Sequence, residues 1–219
     1  MSFDLARVRA DFPILSRQVN GRPLVYLDNG ASAQKPRQVI DAITRIYEGE
    51  YANVHRGLHF LSNLATDHYE RVRAIIARFL NAPREDEVIF TSGATEAIYT
   101  ILTTILEPGD DFIIPTPAFL LYDAIARICR ANPITLDTSE DSFQIGKEKL
   151  AALVGSKTKA IILNSPLNPT GTVLTKESLA AVAELAREHD FYVICDNVYE
   201  RLAYTDEFTG FAESYPELA

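Results

Sequence analysis

What most restricts the fold of this chain is a change of hydrophobic rhythm near residue 87. From there on, short apolar runs of strand length alternate with stretches whose apolar residues recur at helical spacing. Glu87–Phe90 reads as a strand, and TSGATEAIYTILTTIL (91–106) as a turn entering a helix that Pro108-Gly109 stops. Phe112–Ile114 then reads as a strand, Phe119–Arg130 as a helix, Ile134–Leu136 as a strand and Glu148–Val154 as a short helix. Ala160–Asn164 is the next strand. A helix over 175–189, with Leu179, Val182, Leu185 and Ala186 inward, leads to a last strand, Tyr192–Cys195. Strands separated by helices need crossover connections, which predicts an α/β fold with a mostly parallel sheet. Ligands of such folds bind at the carboxyl ends of the strands.

The first part of the chain has a different texture. Residues 1–37 are irregular, with Pro13, Gly21, Pro23, Gly30 and Pro36 as breaks. LVYLDNG (24–30) reads as a short strand running into a turn. Residues 38–49 place Val39, Ile40, Ile43, Ile46 and Tyr47 on one helical face. Residues 66–80 do the same with Tyr69, Val72, Ile75, Ile76, Phe79 and Leu80. Charge changes as well: residues 1–90 carry 12 basic and 11 acidic side chains, residues 91–219 carry 9 and 19.

Composition narrows the function classes. With 219 residues, 47% hydrophobic and 23% charged, the chain is long and apolar enough for a sizeable core. A net charge of −9 argues against a general nucleic-acid or anionic-membrane binder, while leaving room for one local phosphate pocket. Cys129 and Cys195 are far apart and lack metal-ligand spacing, which argues against a disulfide framework or zinc site and reads them as core thiols. No stretch reaches the roughly 18 apolar residues of a membrane span, and MSFDLARVRADF has no signal-peptide core. The expectation is a soluble, cytoplasmic protein without metal.

Three features fall at expected strand ends. Thr91-Ser92-Gly93-Ala94-Thr95-Glu96 follows a strand and opens a helix, where free backbone N–H groups and the helix dipole favour a phosphate. An ordinary capped turn would read the same way. Asn164-Ser165-Pro166-Leu167-Asn168-Pro169-Thr170-Gly171 is a rigid loop after an apolar strand, with Asn168 held extended by Pro169. Asp196-Asn197-Val198-Tyr199 puts a carboxylate directly after the last strand, either in the ligand crevice or as a helix cap. Together, a phosphate cradle, an amide donor and a carboxylate describe a site for a phosphorylated heteroaromatic.

These motifs carry a family resemblance. Residues 91–219, including EPGDDFIIPTPAF (107–119), NSPLNPTG (164–171) and CDNVYE (195–200), resemble class I/II aminotransferases, which have fold type I and use pyridoxal 5′-phosphate. The resemblance implies a three-layer, mostly parallel sheet. It implies that Gly93, Ala94 and Thr95 hold the cofactor phosphate and that Phe119 stacks on the pyridine ring. Asn168 and Tyr199 would bond the ring hydroxyl oxygen, and Asp196 would pair with the pyridine nitrogen. Residues 1–90, through YLDNGASAQKP (26–36) and YANVHRGLHFLS (51–62), resemble group II cysteine desulfurases of the same fold and cofactor, with Gly30 where that family usually has alanine. After Ile98 the desulfurase pattern fails, since Pro117-Ala118-Phe119 stands where that family has histidine. For His55, Arg56 and His59 the desulfurase resemblance implies a place near the active site of a dimer, but because the partner motifs have changed they read as a solvated loop.

The chain is therefore read as a mosaic of an N-terminal, desulfurase-like segment, 1–86, and an aminotransferase-like, partial cofactor-binding domain, 87–219. The sheet is expected to be incomplete at its C-terminal side. The resemblance implies amino-group transfer from an amino acid to a 2-oxo acid, and a homodimer or self-association. Both families link the cofactor to a lysine beyond the Asp196 position. Lys35, Lys147, Lys149, Lys157, Lys159 and Lys176 all fall in loops or on solvated faces. No catalytic residue is therefore assigned, and the chain alone is expected to be inactive. The alternatives are a cysteine desulfurase-like protein and a non-catalytic assembly module.

Overall fold

The computed structural model describes residues 4–205 and 208–218. The chain divides into two compact units, Met1–Phe90 and Thr91–Ala219.

In the first unit, α1 (Leu5–Ala10) is capped by Asp4, whose carboxylate accepts from the Arg7 N–H at 3.0 Å. A two-residue ladder joins β1 (Gln18–Val19) to β2 (Arg22–Pro23). Its turn, Asn20-Gly21, has positive φ at both residues (52° and 71°), which is why Asn-Gly closes such hairpins. The strand expected at 24–30 does not form: Leu24 donates to the Arg17 carbonyl beside the hairpin, and 24–28 make no ladder. Helix α2 (Arg37–Arg45) runs into a π-helical turn, Ile46–Glu50. Helix α3 (Phe60–Leu80) starts earlier than its apolar stripe suggests, because His59 Nδ1 caps the Ser62 N–H; Asn81 ends it with φ 55°. His55 binds Glu70 at 2.6 Å.

Glu87–Phe90 is not a strand. Residues 85–87 form a short 3₁₀ turn and 88–90 stay extended without a ladder. A strand exists only by sharing its carbonyls with a neighbour. Here the Val88 carbonyl accepts from the Arg73 guanidinium, whose plane also lies over the Tyr69 and Phe90 rings. Among the described residues of this unit only Ser62, Ala77 and Val88 are buried. The stripe residues Val39, Ile43, Val72, Ile75 and Phe79 are all exposed, so the helices form but their apolar faces stay open.

The second unit carries the sheet. Helix α4 (Ala94–Ile105) precedes β3 (Asp111–Thr116), and α5 (Leu121–Ile128) leads to β4 (Asn132–Asp137). Helix α6 (Lys147–Ala151) and β5 (Thr158–Asn164) follow, then α7 (Lys176–His189), β6 (Tyr192–Asp196) and α8 (Phe211–Ser214). The strand order is β4-β3-β5-β6, all parallel. Alternation along the strands gives the sheet two apolar faces. Phe112, Ile114, Ala160, Ile162 and Ile194 pack with Ile98 and Leu102 of α4 and Tyr122, Ile125 and Ala126 of α5. Ile113, Leu136, Ile161 and Leu163 pack with Leu150 of α6, Leu179, Val182 and Leu185 of α7, and Phe211 of α8. The result is the three-layer α/β arrangement expected from the sequence.

Candidate functional site

From β3 the chain steps to β4 on one side, while β5 and β6 continue on the other. That reversal is a topological switch point at the carboxyl ends of β3 and β5, the usual ligand position in parallel sheets. β5 and β6 run in register, so Asn164 ends opposite Asp196. Both alternate onto the sheet face that α4 and α5 cover.

Asp196 is 9% exposed. Its Oδ2 accepts from the Tyr122 hydroxyl at 2.6 Å, and its Oδ1 from the Val198 N–H at 3.3 Å. The Asn164 amide donates to the Asp196 carbonyl at 2.8 Å, while its Oδ1 accepts from the Asn168 N–H at 2.7 Å. One asparagine thus ties the end of β6 to the loop after β5. Burial raises the Tyr122 phenol far above its ordinary range, and the hydrogen bond to Asp196 raises it further, so the phenol stays protonated as a donor. Beside this network lies a cavity of about 10 Å³, lined in part by Tyr122, Asn164 and Leu167. That is at most one water's worth of space.

Phe119 follows β3 with its ring edge-on to Tyr122, centroids 5.9 Å apart. At 41% exposure it leaves ring surface open for stacking. Asn168 is half-buried in a loop closed by Leu167 N–H to Thr172 O (2.8 Å) and Gly171 N–H to Leu167 O (2.7 Å). Tyr199, also half-buried, lies close enough to Tyr122 to act on its phenol electrostatically.

Gly93, Ala94 and Thr95 lie at the start of α4. The first backbone N–H to bond back into the helix is that of Ala97, to Gly93 O at 3.2 Å, which leaves the N–H groups of Ala94, Thr95 and Glu96 without an intrahelical acceptor. Gly93 has φ 106° and ψ 172°, a region essentially reserved for glycine. A Cβ there would meet nothing within 4 Å, so the backbone lies open to an incoming group. The Glu96 carboxylate turns back onto the Ser92 N–H.

The fold therefore joins Phe119, Asn168, Asp196 and Tyr199 through Tyr122 and Asn164. Gly93, Ala94 and Thr95 are tied to that group through the apolar layer, where Ile98 packs in the same cluster as Tyr122. Sequence reasoning missed Tyr122 and gave Asn164 no role of its own. The signal for Tyr122 was its place with Ile125 and Ala126 on an inward helix face, where a buried hydroxyl needs an acceptor. For Asn164 it was an amide ending an otherwise apolar strand.

The lysines lie elsewhere. Lys147 pairs with Glu184, Lys149 with Asp141, and Lys159 sits 5.7 Å from the Tyr192 ring centroid. Lys159 is at the amino end of β5, roughly 16 Å along the strand from Asn164. Burial pushes the Cys195 thiol up to about 11 and raises that of Cys129. Among the described residues no cluster of His, Cys, Asp or Glu is arranged to hold a metal, and no helix is long and apolar enough to cross a membrane.

The family model for aminotransferase class I and II matches residues 25–219, so the chain belongs to that family. An aspartate aminotransferase variant from Thermus thermophilus superposes with a TM-score of 0.72 and 28% identity, over 89% of this chain and 57% of its own. The aspartate aminotransferase of Thermotoga maritima gives 0.68 and 32%, over 80% and 46%. A cysteine desulfurase from Pectobacterium atrosepticum is 39% identical over 198 residues, 85% of this chain and 47% of its own length. That coverage carries the desulfurase likeness past residue 90 into the second unit. The chain spans about half the length of the curated relatives it matches. Both families depend on pyridoxal phosphate.

Proposed function

We propose that the second unit binds pyridoxal 5′-phosphate at its strand ends and serves the amino-group transfer of its family, from an amino acid to a 2-oxo acid. The observation that carries this reading is Asp196: a buried carboxylate at the end of a central-sheet strand, held by Tyr122, beside the exposed ring of Phe119. Such a donor set fits a phosphorylated pyridine. When bound, the cofactor supplies a protonated ring that withdraws electrons from the substrate's α-carbon. Asp196 would keep the proton on the pyridine nitrogen, and Phe119 would cover the ring. Asn168 and Tyr199 would hold the ring hydroxyl oxygen. The free N–H groups after Gly93, with the Thr95 hydroxyl, would hold the phosphate.

None of the six lysines lies in this network. We infer that the chain by itself binds the cofactor non-covalently and does not turn over. The exposed apolar stripes of α2 and α3 favour self-association or a homodimer. The test is an absorbance titration with pyridoxal phosphate, then borohydride reduction and mass mapping. Asp196→Ala and Thr95→Val should each lose binding. Equal binding by both variants, or specific reduction onto one lysine with full turnover, would overturn the assignment.

A second reading, a cysteine desulfurase-like protein, is favoured by the 39% identity to such an enzyme. The raised thiols of Cys129 and Cys195 argue against either as its nucleophile. Alanine formed from cysteine, with the sulfur released as sulfide once dithiothreitol reduces the protein persulfide, and both lost in a Cys129→Ala or Cys195→Ala variant, would favour this reading over the first.

A further inference from the structure

We propose that Tyr122 is a positioning residue for the site, fixing the orientation in which the Asp196 carboxylate meets the cofactor's pyridine nitrogen. The inference rests on the cofactor reading above. A carboxylate at a strand end can turn about its terminal bond, and only some orientations direct an oxygen outward. Here Oδ2 is held by the Tyr122 hydroxyl at 2.6 Å, while Oδ1 has only the long 3.3 Å bond from Val198 N–H. One oxygen is anchored inward and the other keeps its acceptor capacity. Tyr122 is itself immobile: it is 2% exposed, packed between α4 and the sheet. The adjoining cavity, about 10 Å³, holds no more than one water to compete for the bond. Because its phenol stays protonated, Tyr122 donates at every working pH. Asn164 fixes the backbone of Asp196 but does not touch its carboxylate, so the side-chain orientation falls to Tyr122.

The experiment uses the whole 219-residue chain with pyridoxal phosphate labelled with ¹⁵N in the ring. Wild type should bind, with the nitrogen resonance of a protonated pyridine. Tyr122→Phe should weaken binding by about ten- to a hundredfold, the range for losing a hydrogen bond to a charged group. It should also move the resonance toward unprotonated pyridine. A Tyr122→Phe chain that melts like wild type and keeps both affinity and resonance overturns the inference and leaves the cofactor reading standing. Should that variant fail to fold, 3-fluorotyrosine at position 122 decides, because it keeps shape and donor and changes only the phenol's acidity. A displaced ring-nitrogen resonance then supports coupling through the carboxylate, and an unchanged one overturns it. Wild type that binds no cofactor overturns the reading of the site and this inference with it.

Discussion

Replacing Gly93 by alanine separates a conformational requirement from a steric one. Nothing lies within 4 Å of a Cβ at this position, so Gly93→Ala creates no clash with another part of the fold. Its backbone, at φ 106° and ψ 172°, is nevertheless in a region that side-chain-bearing residues avoid. Holding alanine there costs about 1–3 kcal/mol. Relaxing instead would turn the first N–H groups of α4 away from their present direction and unseat the phosphate cradle. Either way the substitution is felt. Gly155 is the internal control, because it has an ordinary φ and equally open space. Alanine there should be neutral or stabilise by about 0.4–1 kcal/mol through the unfolded state. The assay is urea denaturation followed by circular dichroism, with amide exchange at Ile98 and Leu102 reporting on α4. Gly93→Ala should lower the midpoint and speed exchange in α4, and it should weaken inorganic phosphate binding. If the two variants are equally stable and bind phosphate alike, the backbone at Gly93 is not a built feature and the cradle argument fails.

Ser178→Ala should cost about 1–3 kcal/mol, because the buried Ser178 hydroxyl accepts the Ile145 N–H and donates to Gln144; a melt unchanged from wild type would refute this. The Cys195 thiol, at about 11 in the fold against about 8.5 unfolded, favours the folded state fully below the lower value. That contribution is lost as pH rises from the lower value through the higher. At pH 8 Cys195 should therefore react with a disulfide reagent at least about a hundredfold more slowly in the folded chain than in urea, and comparable rates would contradict it. Amino-group transfer by the purified chain should stay within about a hundredfold of free pyridoxal phosphate at equal concentration, the low end of what general acid–base help contributes. A larger rate would show that one of its own residues does the work of a covalent lysine, which borohydride reduction and mass mapping would locate.

The second unit was legible because its signals are local and redundant. Each strand is a short apolar run between breaks, and each helix puts its apolar residues on one face, as Leu179, Val182 and Leu185 do. Glycine, proline and an acidic residue at strand ends marked where a ligand could bind, because backbone freedom and polarity are informative there, while the roles given to Phe119, Asn168, Asp196 and Tyr199 came from the family resemblance of their motifs. What was not legible is pairing. Val88–Phe90 has a strand's composition, yet whether it joins a ladder depends on a neighbour, and Arg73 takes the Val88 carbonyl instead. The hairpin at Asn20-Gly21 was missed in favour of the more apolar LVYLDNG, although its two positive φ values are what that dipeptide offers. Tyr122 was hidden for the same reason: its partner is Asp196, 74 positions away, and periodicity does not see across such a distance.

The pairing of Asn164 with Asp196 also makes the site a check on the sheet's own assembly. Side chains alternate between faces at every residue, so sliding β6 by a single position against β5 would invert the whole strand. Asp196 would then lie among Leu179, Val182 and their neighbours, on the face away from Tyr122. An uncompensated carboxylate in such surroundings is far more costly than any mispacked methyl group. The aligned strand instead gives Asp196 its Tyr122 partner and leaves Ile194 in the apolar layer. The polar residues at the strand ends thereby discriminate one register from its neighbours, a task that the apolar residues of β6, similar on both faces, leave poorly determined.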